Sequence, residues 1–330
     1  MKLFRREFLR LAMGIAVLPT LSNVSQAQSY PSRPITMIVP FPAGGPTDVT
    51  ARIIAERMQL TLRQPVIIEN VAGAAGTIGI GRVSRAPPDG YTLSFGPGFS
   101  THVINPAIYS LTYDVRNDFE PVALVSRFSH LIVARKSLAA NDLNGLIAWL
   151  KANPGEVLQA TSGVGSAGHV FGVLFQKKTG TDFGFVPYRG AAAAIQDLVA
   201  GRVDLMIDTP VNCLPQVRAG AIKAYAVTAK SRLATAPDIP TVDEAGLPGF
   251  YGANWYSIYT SRGAPVEIIT RLNAAVVEVL ADPAVRKRLA ELGHEIMPRE
   301  QQTPEALHVL QEAETEKWWP IIKAANIKGD

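Results

Sequence analysis

The chain has 330 residues, 47% hydrophobic and 18% charged, with 27 Gly and 24 Pro. That length suits two α/β domains rather than one, and the apolar fraction excludes wholesale disorder. A single cysteine, Cys213, excludes an internal disulfide framework, and the five histidines include no pair at metal-ligand spacing, so no metal is expected.

The formal charge of +4 is concentrated at the start of the chain. Residues 1–27 hold Lys2, Arg5, Arg6 and Arg10 against Glu7, leaving 28 basic and 27 acidic side chains in the rest. A nearly neutral body gives no electrostatic reason to expect nucleic acid as a partner. The same 27 residues read as an export signal. A basic stretch precedes the apolar run Leu11–Leu18, and small residues at Ser25 and Ala27 suit cleavage before Gln28. The apolar run is far short of the ~20 residues needed to span a bilayer. Arg5-Arg6 with Phe8 and Leu9 resembles the twin-arginine signal, with Sec export as the alternative. Either route predicts a periplasmic protein.

Beyond the signal, short β-rich runs alternate with helical stretches. Predicted strands are 35–41, 66–71, 91–96, 121–125, 131–134, 157–162, 183–188, 203–209, 223–229 and 256–260. Helices are predicted at 47–62, 143–153, 169–179 and 191–200, as a pair within 265–292, and at 303–325. The last opens with Thr303 as N-cap, Pro304 at the first position and Glu305 in the first turn. Such alternation predicts mostly parallel sheets covered on both faces. Two halves share a plan, each running a strand into a glycine-rich loop and then a helix. One cleft between two lobes follows.

The first loop reads Pro40-Phe41-Pro42-Ala43-Gly44-Gly45-Pro46-Thr47-Asp48. Its glycines let a ligand approach the main chain, and the helix start behind it favours an anion. Asp48 is expected to cap that helix, because a carboxylate would repel a bound anion; Thr47 suits capping or ligand contact equally. The second loop, Thr161-Ser162-Gly163-Val164-Gly165-Ser166-Ala167-Gly168-His169, is a formal G-x-G-x-x-G. No acidic residue closes the following strand, so the dinucleotide reading yields to a second anion-accepting helix terminus. Ser166 and His169 raise a hydrolase alternative. No serine in the chain sits in G-x-S-x-G, however, and no third residue orients the imidazole. The run Gly73–Gly81 lacks the Lys-Ser/Thr of a phosphate-binding loop and is read as a tight turn and a closely packed helix.

The loop at 40–48 is followed by Pro88-Asp89-Gly90-Tyr91-Thr92-Leu93, Asn105-Pro106, and Tyr113-Asp114 with Asp118-Phe119. Then come Ser162–His169, Val186-Pro187-Tyr188-Arg189-Gly190, Gly201-Arg202-Val203-Asp204 and Pro240-Thr241. In this order the set resembles the Bug-type extracytoplasmic receptors of tripartite tricarboxylate transporters. The resemblance implies an α/β two-lobed periplasmic-binding-protein (Venus flytrap) fold. Its expected lobes are 28–125 and 250–330 for the first and 126–249 for the second. It implies no enzymatic activity and no cofactor, but capture of a small organic carboxylate for delivery to membrane permease subunits. A ligand sensor acting with a membrane kinase is the alternative in the same compartment.

Carried onto this chain, the family's first pincer comprises Phe41, Ala43, Gly44, Gly45 and Thr47. The second comprises Ser162, Gly163, Gly165, Ser166 and His169. Tyr188, Gly190 and Ala191 would approach the far end of the ligand, and Asp208 would face the cleft. The short side chains of Ala191–Ala194 leave room for a mono- or dicarboxylate, aromatic ones included, in preference to citrate. Arg189 is the adjacent cation.

Overall fold

The computed structural model describes residues 30–329; the export signal expected at 1–27 lies outside them. In chain order the first group of elements is β1 (Ile35–Val39), α1 (Pro46–Leu62), β2 (Val66–Asn70), α2 (Thr77–Ser84) and β3 (Thr92–Pro97). A π-helical turn, Phe99–Ile104, runs into the short α3 (Asn105–Ile108), and β4 (Phe119–Ser129) then leaves for the second group. That group is β5 (Leu131–Arg135), α4 (Leu143–Ala152), β6 (Leu158–Thr161), α5 (Ala167–Thr179), β7 (Gly184–Pro187), α6 (Ala191–Val199), β8 (Leu205–Asp208), α7 (Pro210–Arg218) and β9 (Ile222–Val227). The chain returns through β10 (Ala253–Ser261) and ends with α8 (Val266–Ala281), α9 (Pro283–Glu291) and α10 (Pro304–Ala324).

Each group builds one five-stranded sheet, ordered β2-β1-β3-β10-β4 and β7-β6-β8-β5-β9. Both sheets are mixed where helix alternation alone predicts mostly parallel pairing. In the first, β1 runs parallel to β2 and β3, but β10 is antiparallel to β3 and β4. In the second, β6 is parallel to β7 and β8, and β5 is antiparallel to β8 and β9. The reason is topological. One strand carries the chain out of the first sheet and another brings it back, so β4 and β10 traverse the junction in opposite senses. Helical crossovers, by contrast, enforce parallel neighbours.

Burial follows this plan. One apolar core lies on the first sheet under α1, α8 and α9, and another lies on the second sheet under α6 and α7. A third runs through both lobes. At its centre Phe171 of α5 meets Phe99 and Trp318 of α10, with ring centroids 5.7 and 5.8 Å away. The α10 start is as the sequence predicts: Thr303 accepts from the Ala306 N–H at 3.1 Å and Pro304 takes the first position. The consequence for function is that the loops after β1, β3, β6, β7 and β8 all emerge toward one space. Ligands of open α/β sheets bind at these carboxyl ends.

Candidate functional site

A cavity of about 460 Å³ occupies that space. The first lobe supplies Phe41–Ala43, Gly45–Thr47, Pro97 and Ser100; the second supplies Ser162, Ala167, Gly168, Arg189–Ala193, Asp208 and Thr209. The two crossings between the lobes complete the wall with Phe128, His130, Asn254 and Tyr256.

Four helices start at this cavity. The first-turn N–H groups of a helix have no partner within it. No side chain caps α1, α6 or α7, whose starts contribute Thr47, Ala191–Ala193 and Thr209 to the wall. The start of α5 contributes Ala167 and Gly168. Each terminus carries roughly half a positive charge, so the cavity favours an anion without a buried basic side chain. Arg189 is the one cationic side chain in the lining, and it is exposed, at the mouth.

Glycine makes the second loop's approach feasible. A Cβ on Gly168 would lie 2.4 Å from the Ile207 carbonyl oxygen, so only glycine lets the start of α5 press against β8. Gly165 holds φ +77°, a conformation other residues seldom adopt, and a Cβ there would meet Ile108 of the first lobe.

Of the residues expected at the site, the structure brings Phe41, Ala43, Gly45, Thr47, Ser162, Gly190, Ala191 and Asp208 to the lining. Gly163 and Tyr188 line an adjoining recess of about 260 Å³, shared with Phe41, Ser162 and Arg189. Gly44, which is exposed, and Gly165, Ser166 and His169 are outside the lining. The Gly44 N–H donates to Asp48 at 2.9 Å. The Gly165 N–H donates to His169 Nδ1 at 3.2 Å, and Ser166 Oγ accepts the His169 main-chain N–H at 3.4 Å as the α5 cap. Ser166 and His169 thus make loop-to-main-chain bonds, not the hydroxyl–imidazole bond a hydrolase needs.

Neither Asp48 nor Thr47 caps α1, contrary to expectation: the N-cap is Gly45, Thr47 Oγ1 faces the Tyr256 hydroxyl at 3.4 Å, and Asp48, buried, instead accepts from the Gly44 N–H, Arg52 and Asn70 and so braces the loop. Burial alone would raise the Asp48 pKa, but hydrogen bonds from Arg52, the Gly44 main chain and Asn70 outweigh this and hold it below its usual value. Asp208 differs. Burial raises its pKa to about 6, against the opposing hydrogen bonds of the Thr209 main chain and Asn212, the latter at 2.6 Å. It is the one carboxylate in the lining.

The crossings are what sequence reasoning missed. His130 lies between β4 and β5, Asn254 and Tyr256 lie in β10, and none of the three belongs to a local motif. Their backbone places them: the extended chain alternates faces, so His130 and Asn254 face this cavity. Arg127, Ser129 and Ala253 line a larger cleft of about 740 Å³, which Phe128 and Gly252 also border. Volume alone would favour that larger cleft. It lacks converging helix starts, and we assign the chemistry to the smaller cavity.

Residues 50–327 match the family described as tripartite tricarboxylate transporter family receptor. Among solved structures, the periplasmic binding protein BugD is 37% identical, with a TM-score of 0.85, covering 91% of this chain and 99% of its own. MatC from Rhodopseudomonas palustris with bound malate is 39% identical at TM-score 0.85, covering 89% and 100%. An R. palustris protein with adipate is 35% identical at TM-score 0.86, covering 91% and 99%.

Proposed function

The chain belongs to the Bug-type (TctC) family of tripartite tricarboxylate transporter receptors, and on that premise we propose that it is a periplasmic receptor for a small organic carboxylate. The ligand is held between the lobes and handed to the permease subunits of such a transporter. The observation that carries this is the convergence of helix starts from both lobes on one largely apolar cavity, with no nucleophile among the lining groups placed to use it. Within this reading the pincers are the stretches 41–47 and 162–169. Of these, Phe41, Thr47 and Ser162 touch ligand, while Gly44, Gly165, Ser166 and His169 keep the loops in shape. The N-terminal 27 residues direct export.

Support for the ligand class comes from chemistry as well as kinship. Malate and adipate, bound by two relatives, are both aliphatic dicarboxylates. In this chain one carboxylate suits the helix starts, and Arg189 at the mouth suits a second. A thermal-shift panel of dicarboxylates, citrate, acidic amino acids and aromatic carboxylates tests the proposal. A ligand at 100 times its Kd stabilises by about 2.7 kcal/mol, a rise of at least a few degrees in a protein of this size. A flat panel on protein stripped of co-purified ligand by partial unfolding would overturn it. Uptake of the identified solute should then vanish in cells lacking either this protein or the permease.

A further inference from the structure

The two lobes meet in two different ways. Beside the crossings they share an aromatic core, in which Phe99, Phe171 and Trp318 are buried and Phe171 also meets His130. Apolar burial of that kind holds with or without a ligand. At the mouth the second lobe offers glycine instead. A Cβ on Gly190 would lie 3.0 Å from Pro42 Cδ of the first lobe. One on Gly165 would lie 2.4 Å from Ile108 Cδ1 and 3.1 Å from the Tyr109 ring, and one on Gly163 would lie 4.0 Å from the Ala75 main chain. Bare backbone of the second lobe thus lies against the first lobe at each of these points.

Tyr109 adds a directional contact to this seam. It follows α3 of the first lobe, and its hydroxyl donates to the Val164 carbonyl of the second pincer at 2.7 Å. Tyr109 is outside the lining of the 460 Å³ cavity and lines the adjoining recess with Gly163 and Val164. Each side of the bond is braced within its own lobe. Asn105 Nδ2 donates to the Ala75 carbonyl and the Gly329 N–H to the Ile108 carbonyl, both at 3.0 Å. Across the seam, the Ser166 N–H donates to the Gly163 carbonyl at 3.1 Å and the Gly165 N–H to His169. The bond therefore joins two surfaces that are complete without it. Pro42, Tyr109, Gly163 and Val164 are all half-buried, so the seam holds the lobes far less firmly than the aromatic core does.

We propose that Tyr109 is a positioning residue for the ligand: its bond to Val164 forms as the lobes close, locks the second pincer to the first lobe and slows release without touching the solute. This rests on the cavity being a carboxylate site between lobes that part. A bond made only in the closed state adds nothing to the empty, open protein and its whole worth to the bound one. A bond made in both states does the reverse, adding to stability and nothing to affinity.

Tyr109→Phe keeps the ring and removes the hydroxyl. Succinate, malate and adipate are titrated by calorimetry and their release timed by stopped flow, and the empty proteins are unfolded in urea. Each acid that binds the wild type should bind the variant about fivefold more weakly, the scale of one hydrogen bond, and leave faster by the same factor. The urea midpoint of the empty protein should not change. In wild-type protein labelled at tyrosine, the Tyr109 ring resonance should move with each acid that binds. Unchanged affinity, a lower midpoint of the empty variant, or a Tyr109 signal that ignores the ligand would overturn the assignment. Failure of all three acids to bind the wild type would instead overturn the carboxylate reading on which it rests.

Discussion

Asp208→Asn is the substitution whose effect the structure sizes most directly. Burial holds the Asp208 carboxyl at about 6, some two units above its ordinary 3.8. Each unit is worth 1.36 kcal/mol between the two protonation states, so the ionised side chain costs the empty protein about 3 kcal/mol. The groups packed around it offer no compensating cation. Asn212 and the Thr209 main chain donate hydrogen bonds. The Cys213 thiol and the Tyr256 phenol are both pushed upward by burial and then by Asp208 itself, so they stay neutral. His130 is neutral too. Because the folded state binds this proton more tightly than the unfolded chain, the carboxyl costs nothing below pH ~4 and its full penalty above pH ~6. Stability from this group therefore falls as pH rises through that window. Asparagine keeps an oxygen for Asn212 and carries no charge. Urea unfolding of both proteins at half-unit steps from pH 4 to 7 should show the variant gaining on the wild type by about 3 kcal/mol across the range. A difference that stays constant with pH would refute the reasoning, since every other titrating group is common to both proteins.

Three more outcomes are expected. His102, His130 and His294 are held by burial near 3, 4 and 3, below their ordinary 6.5. Their contribution is complete above pH 6.5 and lost as pH falls; with Asp208 opposing by one proton, net stability should drop by about 3 kcal/mol per pH unit near pH 5. A urea midpoint unchanged between pH 6.5 and 5 would contradict this. Gly168→Ala forces a methyl against the Ile207 carbonyl oxygen, 2.4 Å away. It should cost about 1–3 kcal/mol and reduce the thermal response to ligand, and an unaltered midpoint would show that α5 can retreat. Ser166→Ala removes the α5 cap and should lower stability by about 1 kcal/mol. Wild type and variant alike should release no product from carboxylic esters, and turnover lost in the variant would revive a catalytic serine.

Local signals made much of this legible. Helix α10 was readable because Thr303, Pro304 and Glu305 all agree on one start. The two glycine loops were readable because a strand, glycines and a helix start occur together. Helix α7 was not, since Pro210 and Pro215 read as breakers. In fact Pro210 takes the first position, where no N–H is needed, and Pro215 falls in the second half of a nine-residue helix. Nor was strand direction readable, because β10 finds β3 and β4 only after the chain has built another sheet. The same distance hid the cavity floor. His130 and Asn254 are 124 positions apart and share the wall through pairing between crossings that no periodicity encodes.

That division has a physical consequence for binding. The donors sit on helix starts anchored to different sheets, α1 on the first and α5, α6 and α7 on the second. Fractional charges of this kind hold an anion weakly from one side and well from several at once. A ligand engaged by α1 alone thus has little to gain, and the same ligand engaged from both lobes gains every donor together with release of its surroundings from water. A ligand shifts a conformational equilibrium only by its differential affinity for the two states, and donors divided between the lobes are the kind that supply such a difference. A basic side chain on a flexible stem reaches an anion in either state, and Arg189 at the mouth is the one such group in the lining, so the contrast rests on the main-chain donors. Main-chain donors are fixed to their lobes, so a ligand that meets donors from both is held only while the two faces stay together.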